Sequence, residues 1–431
     1  MTVSQQILEL LRLFIDASAK DPSQYAESKK DFTRKRKLPF NKLVVLMTGL
    51  LKKSLQSELN TFWGIMDENA PTKSAFCQAR KKIKTLWFET FFKKTYEYFE
   101  QFAKLKKFLD YLVFACDSTV QKPPDNEETR SLGTHTNQSK TVASIKITTY
   151  HDVLNNITVR ASINDKKVAD LRTAQPFIAQ LPINSISIYD RGFASQILPF
   201  LHGHYGSKYV IRLPVGFSNT VTNFMNSSDT DIIVTEQLTQ KCCKELAKMG
   251  IRKSRNDTYT FRLVKVILPT GETEVLKTDL DSSFGIEELD YLYQSRWGIE
   301  TCYNYFKNTL MLGTFSGYSK KAVIQDIYSV LAMYNLQTII QYDCAEKLEE
   351  INERREKEYK INRNVGAGTA RDGLKKIFLE AFGNIGAYLK IIQKIILKSL
   401  EMVKETHKER QRKMLRCNDR HQTELNYKRG F

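Results

Sequence analysis

Residues 291–310, YLYQSRWGIETCYNYFKNTL, carry no proline and a single glycine, and their spacing predicts one helix. At roughly 100° per residue, Tyr293, Arg296, Glu300 and Lys307 fall at about 0°, −60°, −20° and −40°. Leu292, Ile299, Tyr303, Phe306 and Leu310 fall at roughly −80° to −140°, an adjoining apolar stripe. A helix of this kind buries its stripe against a sheet and aims one carboxylate, with three polar helpers, past the sheet's edge. The competing reading is an ordinary amphipathic helix whose charges face water. Only the rest of the chain separates the two.

The chain has 431 residues, enough for two to four domains and a sizeable core. Its 66 Lys plus Arg against 48 Asp plus Glu give a net charge of +18, an excess that favours a polyanionic partner such as nucleic acid. No apolar run approaches the roughly 20 residues of a membrane span. The longest, near Leu43 to Leu51, is interrupted by Thr48 and Gly49, so no membrane association is expected. Glu9, Arg12 and Asp16 interrupt the apolar residues at the N-terminus, which is not the pattern of a signal peptide. Seven cysteines without CxxC spacing predict reduced thiols in a cytoplasmic protein rather than a disulfide or zinc framework.

Residues 1–105 read as helical. Pro39 opens a helix running to Leu51, and Pro71-Thr-Lys-Ser reads as a capped start to a basic helix bearing Arg80, Lys81, Lys82 and Lys84. With Arg34-Lys-Arg-Lys upstream, this region is expected to be a DNA-binding domain resembling a helix-turn-helix; a bundle with a solvated basic face is the alternative. From Tyr111 the texture changes. Tyr111-Leu-Val-Phe-Ala-Cys is a buried strand pattern ending at Asp117, and residues 122–140, with Pro123-Pro124, read as a loop. Ala143 to His151 and Ile157 to Ile163 read as a hairpin about Leu154-Asn-Asn. A helix follows from Val168 to Gln180, then the strand Ser185 to Tyr189 ending at Asp190. Another helix, Ala194 to His202, leads to the strand beginning at Lys208. The order is β-β-β-α-β-α-β. Residues 215–285 read as a β-rich insertion with a turn at Pro269-Thr-Gly. Ala322 to Tyr342 is an apolar helix, and residues 345–372 read as exposed or mobile. Phe378 to Leu400 is helical, and a basic tail starts at Lys404.

Asp117, Asp190 and Glu300 are three oxygen-ligand side chains in one β/α order, a set suited to hard divalent cations. Two such ions about 3.5–4 Å apart serve phosphodiester displacement. The chain resembles the DDE-class insertion-sequence transposases that carry a Tyr-x2-Arg-x3-Glu-x6-Lys signature, present here as Tyr293, Arg296, Glu300 and Lys307. Asp117-Ser-Thr resembles that family's first acidic motif. Asp190-Arg-Gly-Phe resembles the second, with Phe193 in place of the usual tyrosine. The stretch around Phe76 and residues 325–335 also look like family features, and the resemblance covers roughly residues 35–345.

That resemblance implies an α/β fold with a ribonuclease-H-like core, a mixed sheet flanked by helices. The expected domains are a helical DNA-binding domain at 1–105, the core at 106–214 and 286–345 around the 215–285 insertion, and a helical basic region at 346–431. It implies a bacterial cut-and-paste enzyme that nicks DNA, forms a hairpin and joins the freed end to target DNA. Asp117, Asp190 and Glu300 are implied as metal ligands for two Mg²⁺ ions, with Mn²⁺ as a substitute. Tyr293, Arg296 and Lys307 are implied to hold DNA phosphates. The implied partners are double-stranded DNA, namely the terminal inverted repeats and the target, and a second copy of the chain. The location would be the cytoplasm, on the nucleoid when DNA is bound. The family's insertion often stacks an aromatic on a flipped base; Phe217 and Phe224 offer themselves for this, with core packing as the competing role. Trp297 is expected to pack on the sheet, and His135 and His151 have no ligand spacing. Two other functions remain open: a catalytically inactive transposase-derived DNA-binding repressor, and a metal-dependent nuclease without strand transfer.

Overall fold

The computed structural model describes residues 1–403 apart from 35, 50–51, 138–139, 269–270 and 380–383. The basic tail from Lys404, Lys35 of the upstream basic run, and Pro269 and Thr270 of the expected turn lie outside the described residues. The chain forms two compact units. One comprises Met1–Lys104, Lys122–Ser131 and the described residues from Tyr305 on; the other comprises Leu105–Gln121 and Leu132–Asn304.

The second unit is built on strands β1 (Leu112–Gln121), β2 (Thr134–Asn137), β3 (Lys140–Ala143), β4 (Ile145–Asp152), β5 (Ile157–Asp165), β6 (Ser185–Tyr189), β7 (Lys208–Leu213), β8 (Asp231–Gln237), β9 (Thr258–Ile267) and β10 (Thr273–Thr278). Eight of them make one mixed sheet in the order β5-β4-β1-β6-β7-β10-β9-β8, while β2 and β3 pair separately. The β1–β6 and β6–β7 pairs are parallel and the other pairs in the sheet antiparallel. The expected β-β-β-α-β-α-β order is present in β1, β4, β5, β6 and β7 with their intervening helices Asp170–Ile178 and Ile197–Tyr205. Residues 122–140 are not a loop throughout: Glu127–Arg130 is a short helix and β2 follows it.

Leu112 to Cys116 are buried, as a strand covered on both faces requires. On one face Val113, Ile186, Ile188, Val210, Val264 and Leu276 pack with Leu289, Leu292 and Tyr293 of the helix Ile286–Ser295. Each such side chain contributes roughly 1.5–3 kcal/mol by leaving water. The three strands contributed by 215–285 continue the central sheet beyond β7, and that segment also holds the helices Asn219–Asn226 and Gln240–Lys248.

The single helix expected over 291–310 is divided at Arg296 into Ile286–Ser295 and Trp297–Asn308. There the ladder tightens to three-residue hydrogen bonds, Arg296 N to Tyr293 O and Ile299 N to Arg296 O, both 3.1 Å. Gly298 lies against Val153, where a Cβ would meet the Val153 side chain at 3.2 Å, so the helix approaches the β4–β5 turn closely.

In the other unit the helix Lys320–Tyr342 is buried over most of its length, its buried residues including the polar Gln325, Ser329, Asn335 and Gln337. It packs on the helix Thr85–Phe102, with Asn335 donating to Thr95 Oγ1 at 2.9 Å. Trp87 stacks with Phe91 and Phe14, ring centroids 5.0 and 5.9 Å apart. Two expectations are corrected here. Residues 345–365 include no buried residue, as expected, although Ala345–Glu353 is helical; it is the helix Arg363–Phe378 that departs from the expectation, seated so closely that a Cβ on Gly366 would meet Gln341 Nε2 at 2.5 Å. Arg80 is not on a solvated basic face: it is buried, and its guanidinium bonds Gln325, Ser316, the Ala322 carbonyl and Asp326. A charge-dense segment reads as solvated by composition, and within it Gly366, Ala367 and Ala370 are nonetheless buried.

Candidate functional site

The parallel pairing of β1 and β6 ends at Cys116 opposite Tyr189. Asp117 follows Cys116 on β1 and Asp190 follows the last residue of β6, so the register brings the two residues to neighbouring positions where the strands part. Asp117 is not at the end of β1, as the sequence suggested. The strand runs on to Gln121, paired with β4 alone. Apolar patterning located where the parallel pairing stops rather than where the strand stops.

Glu300 reaches this edge from the helix Trp297–Asn308. That helix is pinned to β1 by Tyr303, whose hydroxyl donates to the Asp117 carbonyl and lies 2.9 Å from Thr149 Oγ1. Ser118 N donates to Asp117 Oδ1 at 2.7 Å. Burial pushes the Asp117 carboxyl up to about 6, the Ser118 amide and the Arg296 charge oppose this, and the Glu300 carboxylate adds to it. Asp117 and Glu300 therefore feel each other's charge.

Arg296 Nη1 donates to Glu300 Oε1 at 3.1 Å, and its guanidinium lies over Trp297 (4.8 Å) and Tyr293 (5.6 Å). Tyr293 and Arg296 are buried, although helical spacing put both on the polar face. The Tyr293 hydroxyl donates to Asp190 Oδ1 at 3.3 Å. Lys307 is exposed in the last turn of the same helix, two turns beyond Glu300. Trp297 is 45% exposed, so it covers Arg296 rather than packing on the sheet. Spacing did not single out Arg212 of β7, which lies 3.7 Å from Asp190 and 2.5 Å from the buried Glu274. Both strands carry a second charge as well, Lys208 on β7 and Lys277 on β10, so local patterning gave no signal that singled the pair out.

Three carboxylates suit a hard divalent ion by donor chemistry, and the mutual charge at Asp117 and Glu300 is what such an ion relieves. Among the described residues, no three His, Cys, Asp or Glu side chains are grouped so as to hold a metal ion. In this arrangement Arg296 Nη1 lies 3.1 Å from Glu300 Oε1 and Arg212 Nη1 lies 3.7 Å from Asp190 Oδ1. Phe224 is buried beneath Lys265, consistent with core packing, while Phe217 lines a concavity of about 800 Å³ with Gln196, Glu236 and Thr239.

The model of the transposase DDE domain family matches residues 109–336, a span that contains all three acids. The chain belongs to that family. The transposase is also 23% identical over 334 residues to the transposase InsG of insertion sequence element IS4 from Escherichia coli strain K12, an alignment covering 75% of this chain and 74% of the relative. Among solved structures, a piggyBac transposase synaptic complex with hairpin DNA aligns over 91% of this chain and 82% of its own, with 11% identity and a TM-score of 0.42. No helix among the described residues is long and apolar enough to cross a membrane.

Beneath the two aspartates runs a buried polar chain. The Tyr150 and Tyr189 hydroxyls are 2.8 Å apart, Tyr189 lies 2.8 Å from His202 Nε2, and His202 Nδ1 lies 2.7 Å from Ser207 Oγ. Burial lowers the His202 pKa from 6.5 to about 3. Between these values the unfolded chain binds a proton that the folded chain refuses, so this residue's contribution to stability is full above about 6.5 and falls as the pH drops towards about 3. The expected slope approaches about 1.4 kcal/mol per pH unit inside that window. Urea unfolding of the wild type and His202→Gln at about pH 7.5 and about pH 5 checks this. Parallel losses in the two proteins would refute it.

Proposed function

We propose that this transposase excises and inserts an insertion sequence by metal-dependent, in-line phosphoryl transfer in a ribonuclease-H-like core. The reading is carried by one observation: Asp117 and Asp190 adjoin by register where β1 and β6 part, and the helix bearing Glu300 is tied to β1 at Asp117. The proposed domains are those expected from the sequence: 1–105, 106–214, 215–285, 286–345 and 346–431.

Asp117, Asp190 and Glu300 would hold Mg²⁺, or Mn²⁺ in its place, two ions being the expected complement. When bound, the cations supply Lewis-acid activation of the attacking oxygen and charge relief for the leaving one. Water would attack the phosphorus at the element's end and release a 3′-OH. That hydroxyl would attack the opposite strand to give a hairpin, which water reopens, and the regenerated 3′-OH would then attack target DNA. Arg296 and Lys307 would hold the phosphates, the first by its fork and the second as a point charge; Tyr293 would donate its hydroxyl to a phosphate of the same strand. The contacts of Arg296 with both Tyr293 and Glu300 support one such cluster, in keeping with the Tyr-x2-Arg-x3-Glu-x6-Lys signature.

The DNA partners would be terminal inverted repeats and target duplex, bound by a pair of chains. A concavity of about 620 Å³ supports contact by 1–105: Lys30, Arg34, Arg36, Lys37 and Lys82 line it beside Thr72, the N-cap of the helix Lys73–Lys81. A nicking assay on linear DNA carrying the element's ends tests the reading. Mg²⁺-dependent nicks and joined products are expected from the wild type, and Asp117→Asn should lose both by about 10³-fold or more. Binding without nicking would identify a repressor, and nicks without joining a nuclease.

A further inference from the structure

Arg212 leaves the middle of the sheet towards the site, and its contacts are made at two ends. One end of the guanidinium meets Glu274 of β10 at 2.5 Å. The other meets the Tyr293 hydroxyl at 3.4 Å and lies 3.7 Å from Asp190 Oδ1, the oxygen that Tyr293 also donates to. Glu274 is 6% exposed, and burial raises its carboxyl, with the Arg212 charge opposing. Its other oxygen has no hydrogen-bond partner among the described residues. A carboxylate buried at such cost is explained by what it holds: a cation whose planar fork would otherwise be free to turn.

We infer that Arg212 and Glu274 form a positioning pair that fixes the direction of the Asp190 carboxylate and, through Tyr293, of the helix beside it. The inference rests on the reading of Asp190 as a metal ligand. Because Glu274 offsets the charge of Arg212, the pair acts on orientation more than on net field. Removing it loosens Asp190 without subtracting much positive potential. Hydrogen-bonded partners of ligating carboxylates typically govern about 10- to 100-fold in metal affinity.

The test measures Mn²⁺ binding to the full chain by calorimetry and by the paramagnetic signal of free Mn²⁺, alongside the Mg²⁺ concentration for half-maximal nicking. Arg212→Gln is expected to weaken Mn²⁺ binding and raise the Mg²⁺ requirement by about tenfold, with DNA-end binding unchanged. Arg212→Lys, which keeps the charge and loses the fork, should recover only part of this, and Glu274→Gln should shift both readouts in the same direction. Arg212→Gln binding Mn²⁺ as tightly as wild type would overturn the proposal. So would full recovery in Arg212→Lys, since charge alone would then suffice. If Arg212→Gln is unfolded by circular dichroism, Arg212→Lys and Glu274→Gln decide, and wild-type Mn²⁺ affinity in both refutes the pair. Asp190→Asn run in parallel separates the two ideas: Mn²⁺ binding and nicking retained there would sink the ligand reading itself, whereas their loss beside an unaltered Arg212→Gln would sink only the positioning role.

Discussion

Glu300→Gln is expected to lower DNA nicking by about 10³-fold or more while DNA-end binding stays within about threefold of wild type. The substitution keeps the shape of the side chain and an oxygen that Arg296 Nη1 can still donate to, so the contact now 3.1 Å long survives as a neutral hydrogen bond. Glu300 is 30% exposed on its side chain and takes no part in the apolar stripe, so the fold has little to lose. What goes is the negative charge beside Asp117. The prediction is read by gel shift and by nicking on the same DNA. Equal losses in binding and cutting would make Glu300 structural.

The second large effect is on stability. Arg80→Ala is expected to destabilise the protein by about 3–5 kcal/mol, the usual cost of breaking a buried ion pair from one side. The Arg80–Asp326 contact is 2.8 Å, with side chains 6% and 12% exposed. Three further hydrogen bonds from the guanidinium, to Gln325, Ser316 and the Ala322 carbonyl, vanish with it. Asp326 keeps Ser316 as a donor through both backbone N and Oγ, which points to the lower end of the range. Urea unfolding at fixed pH measures it. If Arg80→Ala unfolded like the wild type but bound DNA more weakly, Arg80 would belong to the DNA surface after all.

These two residues differ in how far sequence could carry them. Glu300 was found by helical spacing, and the strands ending near Asp117 and Asp190 by their apolar runs, because alternation and periodicity are local properties of the chain. Arg80 was misread as a surface cation. A buried arginine and a solvated one have the same local spacing, and its partners are far along the chain, Ser316 and three residues of the helix Lys320–Tyr342. Likewise the glycine- and charge-rich stretch before residue 372 read as exposed or mobile throughout, since composition does not register a helix seated by close contact at Gly366.

The α/β order, the basic excess, the three acids and their helix were determined by the sequence alone, since residue type and spacing act within a few turns or one strand. The tertiary structure decided that β8, β9 and β10 continue the central sheet, that β1 outlasts its pairing with β6, and that Arg212 and Glu274 stand behind Asp190. Strand register and buried ion pairs depend on which distant surfaces exclude water together. No local pattern encodes that choice.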